Sequence, residues 1–105
     1  MIIDERTYTC LPDKLKSFLD IYESRGKPIQ WPILNDPLAI FVTDAGTLNQ
    51  VVFWWRFASM GDREARRATL AVAPGWTEYM ANALQYLQRQ ENRILMPASL
   101  SPLKT

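Results

Sequence analysis

Residues 49–57 read Asn49-Gln50-Val51-Val52-Phe53-Trp54-Trp55-Arg56-Phe57, and this stretch decides the fold. In a strand, side chains two positions apart point the same way. Val51, Phe53, Trp55 and Phe57 therefore share one face, while Val52 and Trp54 occupy the other. A strand that is apolar on both sides requires cover on both. Just upstream, residues 38–44 carry a second strand pattern, and Ala45-Gly46-Thr47 supplies a turn that makes the pair a hairpin.

Outward from the hairpin, residues 2–9 alternate polar with β-branched and aromatic side chains, which predicts an opening strand broken at Cys10-Leu11-Pro12-Asp13. From Pro12, the residues Leu15, Phe18, Leu19 and Tyr22 recur at helical spacing, and Gly26 is expected to stop that helix. Three prolines within residues 27–37 predict an irregular connection. After the hairpin, Ser59-Met60-Gly61-Asp62 has the form of a capping box that opens a helix to about residue 72. Past Pro74, Trp76, Tyr79, Met80, Ala83 and Leu87 mark a further helical stretch, and residues 91–96 return to strand before Pro97.

The order β-α-β-β-α-β is the ferredoxin-like arrangement, an α+β sandwich whose helices cover one sheet face only. A single domain is expected over residues 1–105, with 97–105 as an extended tail. The bare sheet face must meet something else, and the economical cover is the same face of a second copy, closing a dimeric α+β barrel. The sequence thus predicts a homodimer.

Composition narrows the chemistry. The 105 residues are 48% hydrophobic and 22% charged with a net charge of +1, which suits one globular domain and offers no field for a phosphate backbone, so no nucleic-acid partner is expected. The chain holds no histidine. Imidazole-based nucleophile systems, His-ligated zinc and proximal-His haem are closed to it, and neither metal nor cofactor is expected. Cys10 alone forms no intrachain disulfide and reads as a small packed residue, which fits a cytoplasmic location. No apolar run is long enough for a secretory core or a membrane span.

Several segments carry a resemblance. Glu5-Arg6-Thr7-Tyr8-Thr9, Leu48-Asn49-Gln50-Val51-Val52, Trp55, Asp62-Arg63-Glu64-Ala65-Arg66-Arg67, Gln90-Glu91-Asn92-Arg93-Ile94-Leu95 and Ser101-Pro102-Leu103 occur in the order seen in bacterial NIPSNAP proteins, and nearly the whole chain is similar to that family. The resemblance implies the dimeric α+β barrel superfamily, which includes cofactor-free monooxygenases, haem-degrading enzymes and lactone isomerases. Fold therefore narrows architecture more than reaction. The resemblance also implies a departure: where relatives often have a His-Leu-Trp run, this chain has Phe53-Trp54-Trp55, and a phenyl ring replaces any base or ligand.

Candidate ligand-binding residues follow from strand alternation. Arg6 and Tyr8 share one strand face, as do Asn49, Phe53 and Trp55, and together they would give a pocket with apolar walls and a few donors. Arg93 on the last strand would add a second cation, with Glu91 on its side. The competing reading has Arg6 and Arg93 in ion pairs with Asp4, Glu5 or Glu91, and the aromatics filling a closed core. The run 62–67 reads as a solvated helix face, with Asp62–Arg66 and Glu64–Arg67 as surface pairs.

Three functions are in view. The leading one is a homodimer binding a small, partly apolar, oxygenated or anionic molecule in each barrel half. The others are a cofactor-independent monooxygenase or isomerase, with Arg6 and Tyr8 stabilising an oxyanion, and a structural dimer that recruits a protein partner. An enclosed, polar-lined cavity of about 300 Å³ or more would favour the first two, and a solidly packed interior the third.

Overall fold

A computed structural model of the chain describes residues 1–103. Strand β1 (Ile2–Cys10) is followed by helix α1 (Leu15–Ile21), a π-helical turn (Tyr22–Gly26) and helix α2 (Lys27–Leu34). The hairpin β2 (Ala39–Val42) and β3 (Gln50–Phe57) comes next, then helices α3 (Met60–Ala71) and α4 (Trp76–Leu84) and strand β4 (Leu87–Leu95). The sheet order is β2-β3-β1-β4, and every neighbouring pair is antiparallel. This is the predicted ferredoxin-like α+β fold, with two α-helices in each helical leg and a π-helical turn joining the first pair.

Register decides which side chains meet. Asp4 stands opposite Trp55, Arg6 opposite Phe53 and Tyr8 opposite Val51. That face is the one the helices cover: Val51, Phe53, Trp55 and Phe57 are buried together with Phe18, Tyr22, Leu34, Leu70, Tyr79 and Ala83. The opposite face carries Thr7 against Val52 and Glu5 against Trp54, with Phe41 on β2 beside Trp54 at 5.0 Å between ring centroids.

Four local expectations are corrected. Gly26 does not stop a helix: its φ of −82° and ψ of −52° are helical, and the chain runs on through residues 27–34 where an irregular connection was expected. Pro28 sits in the first turn of α2, where a missing N–H costs nothing, and Arg66 Nη1 donates to the Ile33 carbonyl, one of the end-of-helix acceptors, at 3.0 Å. Strand β4 begins at Leu87, which the helical spacing had assigned to the preceding helix; polar side chains on an edge strand hide its pairing with β1. The tail is not extended throughout, since the Ser101 N–H closes a turn onto the Ala98 carbonyl at 2.9 Å; residues 104 and 105 lie outside the described part.

The capping box is present. Ser59 Oγ accepts from the Asp62 N–H at 3.1 Å, and the Asp62 carboxylate reaches back to the Ala58 N–H at 3.0 Å. Asp62 also pairs with Arg66 at 2.9 Å, as the spacing predicts. Glu64 and Arg67 do not pair on the surface as expected. Arg63 and Arg67 instead extend the buried stripe of Leu70 backward at helical spacing, so that Arg63 reaches Asp4 on β1 and Arg67 borders the space between helices and sheet.

Candidate functional site

The site lies between the helix-covered sheet face and the helices. Its floor is β1 and β3, where alternation and register place Arg6, Tyr8, Phe53 and Trp55 side by side. Its roof comes from Phe18 and Tyr22 of the first helical leg and from Trp76, Tyr79 and Met80 of α4, with Arg67 entering from α3. Together they line a partly open cavity of about 70 Å³. That is several times the space one ordered water needs and well below the roughly 300 Å³ at which drug-sized pockets begin. The interior is not packed solid, but it admits only a handful of non-hydrogen atoms.

Behind the lining residue Arg6 stands Asp4, which is wholly shielded from solvent. The carboxylate accepts from Arg63 Nε at 2.9 Å, from Asn92 Nδ2 at 3.1 Å and from Arg6 Nη1 at 3.3 Å. Burial alone would raise its pKa, but the Arg63 and Asn92 hydrogen bonds and the two guanidinium charges together outweigh that and hold it below the ordinary carboxylate value. Asp4 is therefore an ionised, fully partnered anchor. Arg6 also donates Nε to the Tyr8 hydroxyl at 3.1 Å.

Arg67 differs from its neighbours. Among the described residues it forms no hydrogen bond and no ion pair, and burial followed by the adjacent Arg6 charge lowers its pKa below the usual guanidinium value. Trp55, 1% exposed, holds an indole Nε1 without any hydrogen-bond partner among the described residues. Buried donors of this kind ordinarily find an acceptor. Burial pushes the Tyr22 and Tyr79 phenols well above their ordinary value, so neither serves as a base near neutrality. Tyr22 is also occupied: its hydroxyl donates to Gln30 and accepts from Trp31 Nε1.

Of the six candidate residues from the sequence, four converge on the cavity: Arg6, Tyr8, Phe53 and Trp55. Asn49 does not reach it. It precedes β3 in a left-handed conformation with φ of 63°, which asparagine tolerates, so the alternation it was counted in begins one residue later. Arg93 lies on the opposite sheet face, across from Glu5, and donates Nε to Glu5 Oε1 at 2.7 Å. Glu91 pairs with Arg89 rather than with Arg93. Among the lining residues missed, Arg67, Tyr79 and Gln90 bring polar groups, and Phe18, Trp76 and Met80 bring apolar walls. Arg67 was legible in principle, since stepping back from Leu70 by one helical turn reaches it.

Comparison with known proteins places the chain. The family model described as NIPSNAP matches residues 3–102. A NIPSNAP family protein of Agrobacterium tumefaciens, solved as a crystal structure, is 38% identical with a TM-score of 0.94, covering 98% of each chain. A "Protein NipSnap homolog" of Dictyostelium discoideum is 29% identical over 94 residues, 78% of this chain and 42% of that protein. The chain spans less than half the length of this and similar curated relatives. A putative antibiotic biosynthesis monooxygenase from Nitrosomonas europaea has a TM-score of 0.67 at 12% identity, covering 91% of this chain and 97% of that one, a likeness of fold alone.

Proposed function

Because the chain belongs to the NIPSNAP family, whose fold it shares along its length, we propose that it works as a homodimer in which each protomer binds one small, partly apolar, oxygenated or anionic molecule between sheet and helices. The observation that carries the binding reading is the unpartnered Trp55 Nε1 at a residue bordering a cavity that also receives Arg6, Tyr8 and Arg67. Aromatic walls with a few convergent donors suit a ligand that has an oxygen-bearing end and a short apolar body. The small volume argues for a ligand of few atoms.

Dimerisation is supported by the bare sheet face. Phe41 is 46% exposed there, next to the Trp54 ring, and Trp54 Nε1 donates to Glu5 Oε2 at 3.0 Å. Apolar rings set beside a satisfied polar ladder form a surface that a second copy could cover without stranding a charge.

An enzymatic reading draws on the Arg6–Tyr8 hydrogen bond, which sets a guanidinium where an oxyanion would develop. Native mass spectrometry of freshly purified protein tests the binding reading. A dimer mass with one retained small molecule per chain is expected; a monomer at micromolar concentration, or a dimer that takes up no small oxygenated compound, would overturn it. Oxygen uptake on addition of a quinol would move the assignment to the monooxygenase reading.

A further inference from the structure

Two guanidiniums, those of Arg6 and Arg67, line the cavity, and the carboxylate of Asp4 stands behind Arg6. Arg6 and Arg63 share that carboxylate. Arg67 faces the same space as Arg6 but forms no ion pair among the described residues, the Asp4 charge acting on it only from a distance and outweighed by burial and the Arg6 charge. Two cationic forks beside one cavity, only one of them neutralised, form a site that lacks an anion. Trp55, which also borders the cavity, carries a second unanswered donor in its buried Nε1.

Resting on the binding reading above, we propose that Arg67 is the anion-binding residue of this site and that the ligand is a short monocarboxylate. One carboxylate oxygen pair satisfies the planar fork of Arg67, and Trp55 Nε1 is the companion donor. Phe18, Phe53 and Met80 receive the carbon chain. A dianion such as inorganic phosphate suits the site poorly, because the aromatic walls offer nothing to replace its hydration. The volume of about 70 Å³, at roughly 10–15 Å³ of such space per water-sized atom, holds about five to seven non-hydrogen atoms, which restricts the ligand to a carboxylate about the size of propionate.

The test uses the full chain labelled with nitrogen-15, with propionate, propionamide and inorganic phosphate as probes and the Trp55 indole N–H resonance, assigned with Trp55→Phe, as readout. Propionate is expected to shift that resonance saturably, while propionamide and phosphate at equal concentration do not. Arg67→Gln is expected to weaken propionate binding at least tenfold, as loss of a hydrogen bond to a charged group requires, without lowering Tm, because it removes repulsion from Arg6. Should Arg67→Gln fail to fold, Arg67→Lys carries the test: it keeps the charge, loses the fork, and is expected to bind several-fold more weakly.

Undiminished binding in the Arg67 variants, with loss in Arg6→Gln, would overturn the assignment to Arg67 and leave the binding reading standing. Tighter binding of propionamide or phosphate than of propionate would overturn the monocarboxylate. No binding of any probe to the wild-type chain would overturn both.

Discussion

Asp4 on β1 and Arg63 on α3, 59 positions apart in sequence, meet at 2.9 Å beneath the helices. The contact fastens the second helical leg to one of the two central strands of the sheet. The same carboxylate holds Asn92 of β4 and Arg6 of its own strand, so one buried charge ties three elements at the end of the cavity. The polar network therefore does two jobs: it closes the fold and it fixes where Arg6 stands in the site.

Asp4→Asn is expected to cost about 3 kcal/mol of unfolding free energy, the lower end for breaking a buried pair, because the guanidiniums left behind keep some solvent. Arg63→Ala should cost less, since Arg6 and Asn92 remain on the carboxylate. Urea denaturation followed by tryptophan fluorescence measures both. Equal costs would mean that Asp4 does not organise the network.

The same carboxylate gives a pH dependence of definite sign. Its folded pKa lies below its ordinary value, so the unfolded chain, near 3.9, binds the proton first as pH falls. The stabilisation is complete above about pH 5 and is lost on acidification through the folded pKa. Stability curves between pH 3 and 6 should fall for the wild-type chain and flatten for Asp4→Asn. Parallel curves would show that other carboxylates govern the acid limb.

Phe41→Glu should separate the dimer from the fold. Phe41 lies on the bare face, so the substitution places a charge in the proposed interface while leaving the core intact. Light scattering is expected to report half the wild-type mass with an unchanged circular dichroism spectrum. Trp55→Asp makes the contrast, because Trp55 lies in the helix-covered core and a carboxylate there should unfold the protomer. A dimeric Phe41→Glu protein would place the interface elsewhere.

Much of this was legible because strand alternation survives folding. Val51, Phe53, Trp55 and Phe57 announced the buried face, and Arg6 and Tyr8 were assigned to one side correctly. Which side the helices take is not written in any one strand; it depends on the pairing of β1 between β3 and β4, and alternation alone therefore does not separate Arg93, across from Glu5, from Arg6. Arg67 was hidden by the charge pattern around it. A run of alternating acids and bases looks solvated whichever way the helix turns, and only the buried Leu70 three residues on betrays its inward face. Gly26 misled for a different reason: glycine ends many helices through a left-handed backbone, but here it serves a close approach.

That approach gives the last prediction. A Cβ built on Gly26 would stand 2.6 Å from Tyr79 Cζ, inside any tolerable contact, and Tyr79 borders the cavity. Gly26→Ala should therefore destabilise the chain by about 1–3 kcal/mol, the usual cost of overpacking, and displace the Tyr79 ring. Since the Gly26 backbone is helical, alanine by itself ought to favour the helix by about 1 kcal/mol. In a Tyr79→Ala background the clash is gone, so the same substitution should become neutral or stabilising. A thermal double-mutant cycle on Gly26→Ala and Tyr79→Ala reads this coupling directly. If Gly26→Ala costs the same in both backgrounds, the ring is not what requires glycine at this position, and the helical turn has no steric hold on the cavity wall.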